Sequence, residues 1–247
     1  GLFGPRSVTW RVHADFPGML AGGLCALMLQ ALHPRALAGV WDHSDFRGDL
    51  VGRLRRTTAF VAGTTFAGTE QAQRLIRRVT AIHTRVRGET ADGVAYAADD
   101  PELLTWVHVT EAYAFLQGFN AYAGLPGPAG FGDHYYDETR RVAEALGACD
   151  VPADAARVAA YFARVRPELR YDGRSREVLA VLRDVRLPVP GATLSREALA
   201  PAAIPEAVAL RPDDLEQPVE QWAEARYGGD WHLTYEGGGY QVVTGGG

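Results

Sequence analysis

The sequence predicts an all-α fold: one multi-helix domain over residues 1–247, with an irregular Pro/Gly-rich C-terminal part. Three observations carry this. Apolar residues recur at helical spacing through the first half and again to about residue 185. Helix-start and helix-stop residues punctuate that pattern. There are no internal repeats and no clear domain linker.

The elements follow in chain order. Residues 16–32, FPGMLAGGLCALMLQAL, run 17 positions without a charge. The stretch is at the short edge for a membrane span, holds three glycines and meets His33-Pro34. It therefore reads as a buried core helix, with no stable membrane span. Residues 47–65 carry Leu50, Leu54, Thr57 and Val61 at helical spacing, with Asp45 as N-cap. Residues 69–87 place Leu75, Ile76, Val79, Ile82, His83 and Val86 on one stripe, with Thr69 as N-cap and Gly88 as the closing glycine. Residues 89–98 read as a loop or short hairpin around Asp92-Gly93. In residues 99–123, Asp100 caps, Pro101 takes the first helical position, Glu102 suits the positive end of the dipole and Gly124 closes. That helix is apolar nearly all round, so it belongs in the middle of the domain. Helices also fit 133–146, 153–166 and 175–185. The proline-rich 188–218 supports short helical pieces at best, and the Gly-rich 228–247 reads as a strand, a tail or a lid.

Composition removes several functions. All 25 basic residues are arginine, a bias that fits GC-rich coding. Without lysine there is no Schiff base, no P-loop lysine and no amine ligand to a metal. The net charge is −5 and the arginines are scattered, which disfavours nucleic acid as a partner. Cys25 and Cys149 are far apart, outside any CxxC or CxxCH pattern. A disulfide framework, a cysteine zinc site and covalent c-type haem attachment are thus not expected. Two isolated cysteines and no visible cleavable signal lead to an expected cytoplasmic location. Hydrolase-elbow, zincin and nucleotide-loop motifs are missing from any supporting setting.

The histidines carry the functional question. His83 shares a face with Val79 and Val86, and His108 sits in the most apolar helix with Glu111 three residues on. Each reads either as a core histidine satisfied by a carbonyl or carboxylate, or as part of a haem pocket or small metal site. Arg53 and Thr57 form an i, i+4 pair that suits haem propionates at a pocket rim, or else a solvated helix face. Arg55, Arg56, Arg85 and Arg87 lie nearby in the chain. His83, His108 and Glu111 would also make a non-haem iron set. A di-iron bundle needs a second HxxE, and there is none. His33-Pro34 reads as a helix end and Asp42–Asp45 as a turn with caps, while His13, His134 and His232 have no informative context.

Five segments occur in order: LMLQALHP (27–34), AGVWDHSDFR (38–47), GRLRRTTAFV (52–61), RRVTAIHTRVRG (77–88) and DDPELLTWVHVTEAYAFL (99–116). Together they resemble the b-type haem oxygenase family that includes latex clearing protein (rubber oxygenase) and the MpaB-type prenyl-chain oxygenase. The resemblance covers about 1–130 well and the C-terminal half loosely. It implies a globin-like helical core around one non-covalent haem b, and O2-dependent chemistry that in the best-known members cleaves an isoprenoid double bond. It maps the axial ligand to His83, haem retention to Arg53 and Thr57, and a pocket-lining or bracing role to His108, with an exchange of the two histidines as the alternative. Where latex clearing protein has a lysine able to reach the distal side of the iron, this chain has Arg56, which has no lone pair to offer. The polyisoprene enzyme's catalytic glutamate has no placed counterpart.

The resulting expectation is a soluble haem b oxygenase acting on a small or medium apolar substrate, isoprenoid or otherwise unsaturated. His83 would hold iron, with Arg53, Thr57, Arg87 and Trp106 at the haem. Arg56 and His108 would face the reaction, in a pocket walled by Trp106, Phe115 and Phe119. The alternatives are a peroxidase-like or gas-sensing haem protein, a non-haem iron enzyme, and a haem-free helical binder of hydrophobic ligands. Oligomeric state is not readable from the sequence.

Overall fold

The computed structural model describes residues 2–123, 127–183, 231–236 and 239–244. Helix α1 (Val8–Ala14) starts where the Ser7 hydroxyl accepts from the Trp10 N–H at 3.1 Å. Its far end, Asp15, accepts from the Gly18 N–H at 2.9 Å and so caps α2 (Phe16–Gln30). His33-Pro34 both follows α2 and opens α3 (Pro34–His43), with Pro34 in the first turn. The two helices meet at a bend of 105°.

Helix α4 (Leu50–Phe66) begins later than expected. Its cap is Asp49, which accepts from the Gly52 N–H at 2.9 Å, while Asp45 closes the preceding turn on the Gly48 N–H. Helix α5 (Thr69–His83) has Gly68 as its N-cap and stops four residues early. Gly88 does not close it. That glycine pairs with Tyr96 in a hairpin of β1 (Arg87–Glu89) and β2 (Ala95–Ala97), with Gly93 at φ 81° in the turn. Helix α6 (Pro101–Tyr122) matches its expectation, with the Asp100 carboxylate accepting from the Glu102 and Leu103 N–H groups. Gly124 lies outside the described residues. Helices α7 (Phe131–Leu146), α8 (Ala155–Val165) and α9 (Gly173–Arg183) follow, with a 3-10 turn (Arg166–Glu168) after α8. Residues 188–218 lie outside the described residues. Of 228–247, the described part forms β3 (Trp231–Glu236) antiparallel to β4 (Gly239–Thr244), the strand alternative.

The body of the protein is built on α2 against α6, its most extensive helix pair. The two run antiparallel, since Gly18 meets Gly118 and Gly22 meets Ala114. A Cβ at Gly22 would lie 2.6 Å from the Ala114 carbonyl oxygen, and one at Gly118 would strike the Gly18 carbonyl. Backbone packs on backbone there, so α6 is buried on nearly every side from Leu103 to Phe119. No single described helix is long and apolar enough to cross a membrane.

The α4–α5 hairpin is held differently. It packs on α1 and α7 rather than broadly on α2 and α6. Ala72 and Ile76 are buried, but Ile82 is 50% exposed, so the expected apolar stripe does not continue to the helix end.

Gly118→Ala should lower stability by about 2 kcal/mol despite the better helix propensity of alanine, because a rigid carbonyl occupies the space. Gly173→Ala, with open space at the same atom, should be neutral. Chemical denaturation of the two variants checks the contrast.

Candidate active site

Helix α4 turns a half-covered face inward. Arg53, Leu54, Thr57, Phe60 and Val61 are all only half-buried, whereas Thr64 and Thr65 at its end are buried. Between this face and α6 lies a cavity of about 50 Å³, room for a few water-sized groups. Its apolar wall includes Phe60, Val61 and Phe115; its polar wall includes His13, His108 and Glu111.

The i, i+3 spacing on α6 puts His108 and Glu111 together, as expected. Burial pushes the Glu111 carboxyl up to about 7; a hydrogen bond from Gln30 and the positive charge of Arg53 oppose this. Burial brings the His108 imidazole down to about 4. His13 reaches the same cavity from α1. Its Nδ1 is 2.7 Å from the Thr65 hydroxyl and its Nε2 2.8 Å from the Tyr135 hydroxyl. Burial, then the neighbouring His108, hold it down to about 3. Both imidazoles are therefore neutral near pH 7, and each can accept as well as donate.

Arg53 is the half-buried cation beside the site. Its guanidinium donates to the Ser44 hydroxyl at 3.2 Å. Burial lowers its pKa and Glu111 raises it again. Gln30 and Arg53 also line a second, apolar pocket with Leu27, Leu37, Val40 and Phe46. Gln30 thus links the polar cavity to an apolar one.

The other expected residues divide. Thr57 lies half-buried one turn beyond Arg53. His83 ends α5 half-buried, and its Nδ1 is buried with no hydrogen-bond partner. Desolvation lowers its pKa and Asp99 raises it. Arg56 does not face the reaction side: it is 68% exposed and bound to Asp49 at 3.0 Å, because its position falls on the outer face of α4. Arg87 also lies at the surface, donating to Asp99 at 2.7 Å. Trp106 points to the α8 side, against Tyr161 and Phe162, not to the cavity of His108 and Glu111. Phe119 stacks on Phe131, which leaves Phe115 as the expected aromatic that lines the cavity. No three His, Cys, Asp or Glu side chains converge on a metal-sized point among the described residues, so His83, His108 and Glu111 are not assembled as one ligand set.

His13 is the residue that the sequence reading missed. Thr9, Val12 and His13 fall at i, i+3 and i+4 behind the Ser7 cap, and Thr9 and Val12 are fully buried. That short stripe was the available signal.

Glu111 keeps its proton in the folded chain between about 4.5 and 7, where the unfolded chain releases it. Its contribution to stability is full at the acid end and falls as pH rises through that window. Glu111→Gln should therefore gain stability relative to the parent between about pH 5 and pH 7.5, read by denaturant midpoints. His13 and His108 act with the opposite sign below 6.5 and are common to both proteins.

Comparison with curated proteins and with solved structures gives no match. A family model described as the catalytic domain of ER-bound oxygenase mpaB/B'/rubber oxygenase matches residues 10–233. The chain therefore belongs to the mpaB/rubber oxygenase family, as an oxygenase catalytic domain.

Proposed function

We propose that this oxygenase uses haem b and acts on a small or medium apolar substrate. The observation that carries the reading is the half-covered inner face of α4, with Arg53 and Thr57 on it, beside a helix that ends in the unpartnered Nδ1 of His83. A flat apolar cofactor with two carboxylates needs such a slot, a buried cation and a nitrogen with a free lone pair.

The donor types present match that group, while the cavity of about 50 Å³ is far smaller than it, so binding would have to part α4 from α6. His83 would hold the iron, Arg53 would pair with a propionate, and Thr57 would offer a hydroxyl. Bound haem b would supply the binding and activation of O2. The rest is done by the chain. Phe60, Val61 and Phe115 give the cavity an apolar wall. Neutral His108 and His13 can each pass a proton without carrying a net charge into an apolar space. Glu111 can hold or release a proton near neutral pH at its carboxyl oxygen, with Gln30 hydrogen-bonded to it and the Arg53 charge nearby. The small pocket beside Gln30 and Arg53 has an apolar lining, the surroundings an apolar substrate group would meet. Arg56 and Arg87, both at the surface, have no part in this.

An absorption spectrum after haem reconstitution tests the reading. A Soret band is expected, and its absence would sink the proposal. His83→Ala should weaken haem binding by more than about tenfold, as expected for loss of a ligand. Loss on His108→Ala alone would move the ligand to α6.

A further inference from the structure

Arginines that are scattered along the chain come together on the α4–α5 hairpin. Residues 50–83 hold six arginines and one acid, Glu70, in a chain whose net charge is −5. Arg85 follows in the turn after α5. The two helices are joined through Ala67-Gly68 and pack on each other, Gly63 against Leu75, so they run antiparallel. About 12 Å from that contact along each axis, Arg55 comes level with the last turn of α5.

Each helix turns one side to the body and a separate stripe to water. On α5 the outer stripe is Arg74, Arg77, Arg78, Ala81 and Ile82, at i, i+3, i+4, i+7 and i+8, and all five are exposed. On α4 it is Arg55, Ala59 and Phe66. The inward sides are marked by buried Ala72 and Ile76 on α5 and by half-buried Arg53, Thr57 and Val61 on α4. Four outer arginines are uncompensated. Among the described residues Arg55, Arg77, Arg78 and Arg85 form no ion pair, and the acids of this segment are spent elsewhere, Glu70 on Arg74 and the cap Asp49 on Arg56. Ile82 stands in this row, 50% exposed. A single exposed isoleucine is ordinary on a protein surface. Beside unpaired guanidiniums on one helical face it completes a basic amphipathic surface.

We propose that the outer face of the α4–α5 hairpin docks on an anionic phospholipid bilayer, its arginines against headgroup phosphates and Ile82 at the acyl boundary. Arginine stems can lie along apolar surface while the guanidinium reaches a phosphate with two N–H groups. A bilayer offers phosphate and hydrocarbon side by side, over a plane wide enough for both helices. A nucleic-acid backbone offers the phosphate only. The negative charge on the rest of the chain turns this face toward the anionic surface and the remainder away from it. The outer face shares no residue with the lining of the cavity of His108 and Glu111, so it stands whether or not haem is bound.

Co-sedimentation of the full chain with vesicles tests this, using phosphatidylcholine alone or mixed with phosphatidylserine in equal parts. Saturable binding to the mixed vesicles is expected at low salt, with release as salt is raised and none to the neutral vesicles. Arg78→Gln with Arg85→Gln should weaken binding about thirtyfold, for two guanidiniums lost from the surface. Both residues are exposed, and glutamine matches arginine in a helix, so the fold is kept. Ile82→Ser should weaken binding about fivefold without altering its salt dependence. Arg157→Gln with Arg164→Gln, on exposed positions of α8, makes the same change in net charge and should bind as the parent does. No binding to mixed vesicles, equal binding to neutral ones, an equal loss in the α8 pair, or unchanged binding in Ile82→Ser would each overturn the proposal. So would duplex DNA bound as tightly as the mixed vesicles, which would give the face to nucleic acid. A dimer in sedimentation that Arg78→Gln with Arg85→Gln dissolves would give it to a second copy of the chain and overturn the proposal as well.

Discussion

The contact between α2 and α6 is the constraint on which the rest depends. Gly18, Gly22 and Gly118 let the two backbones touch. That closeness buries α6 on nearly all sides, so any polar residue on it must find its environment inside the protein. His108 and Glu111 look out on one side of this helix and Trp106 on another. Two distinct surroundings, a polar cavity and the aromatic packing at α8, are therefore set by rotation about a single buried axis. Larger residues at the glycines would push the helices apart and misplace both.

Burying Glu111, Arg53, Gln30, His108 and His13 around small cavities is costly for stability. An apolar core of similar shape would do better, since desolvation of charge is repaid only in part by pairing. Here the buried carboxyl is held near neutral by its surroundings and two imidazoles are held uncharged. Perturbed groups gathered at one cavity are the feature on which the proposed active site rests. Oxygenase family membership gives that chemistry its class.

Much of the fold was legible because its signals are local. Asp100-Pro101-Glu102 marks the start of α6, and its all-round apolarity puts it in the centre. The pairing of His108 with Glu111 followed from helical spacing alone. What failed depended on competition between neighbours. Asp45 and Asp49 are both good caps, and only the Gly48 turn decides that Asp49 starts α4. Gly88 resembles a helix terminator, yet Tyr96 pairs with it across a hairpin. Arg56 sits three residues from Arg53, which leaves one side chain half-buried and the other in water. His13 was passed over because α1 is too short to show a period. Its role depends on Thr65 and Tyr135, which are distant in sequence.

If haem b fills the half-covered face of α4 as proposed, the life of the protein depends on its supply. A group bound only by the folded chain raises stability by mass action, in proportion to the logarithm of its concentration over its dissociation constant. The α4–α5 hairpin, resting on α1 and α7 and open toward α6, is the segment that gains most from such filling. Unfilled chains would open there first and be degraded sooner. The steady amount of this protein in a cell would then follow the abundance of the proposed haem.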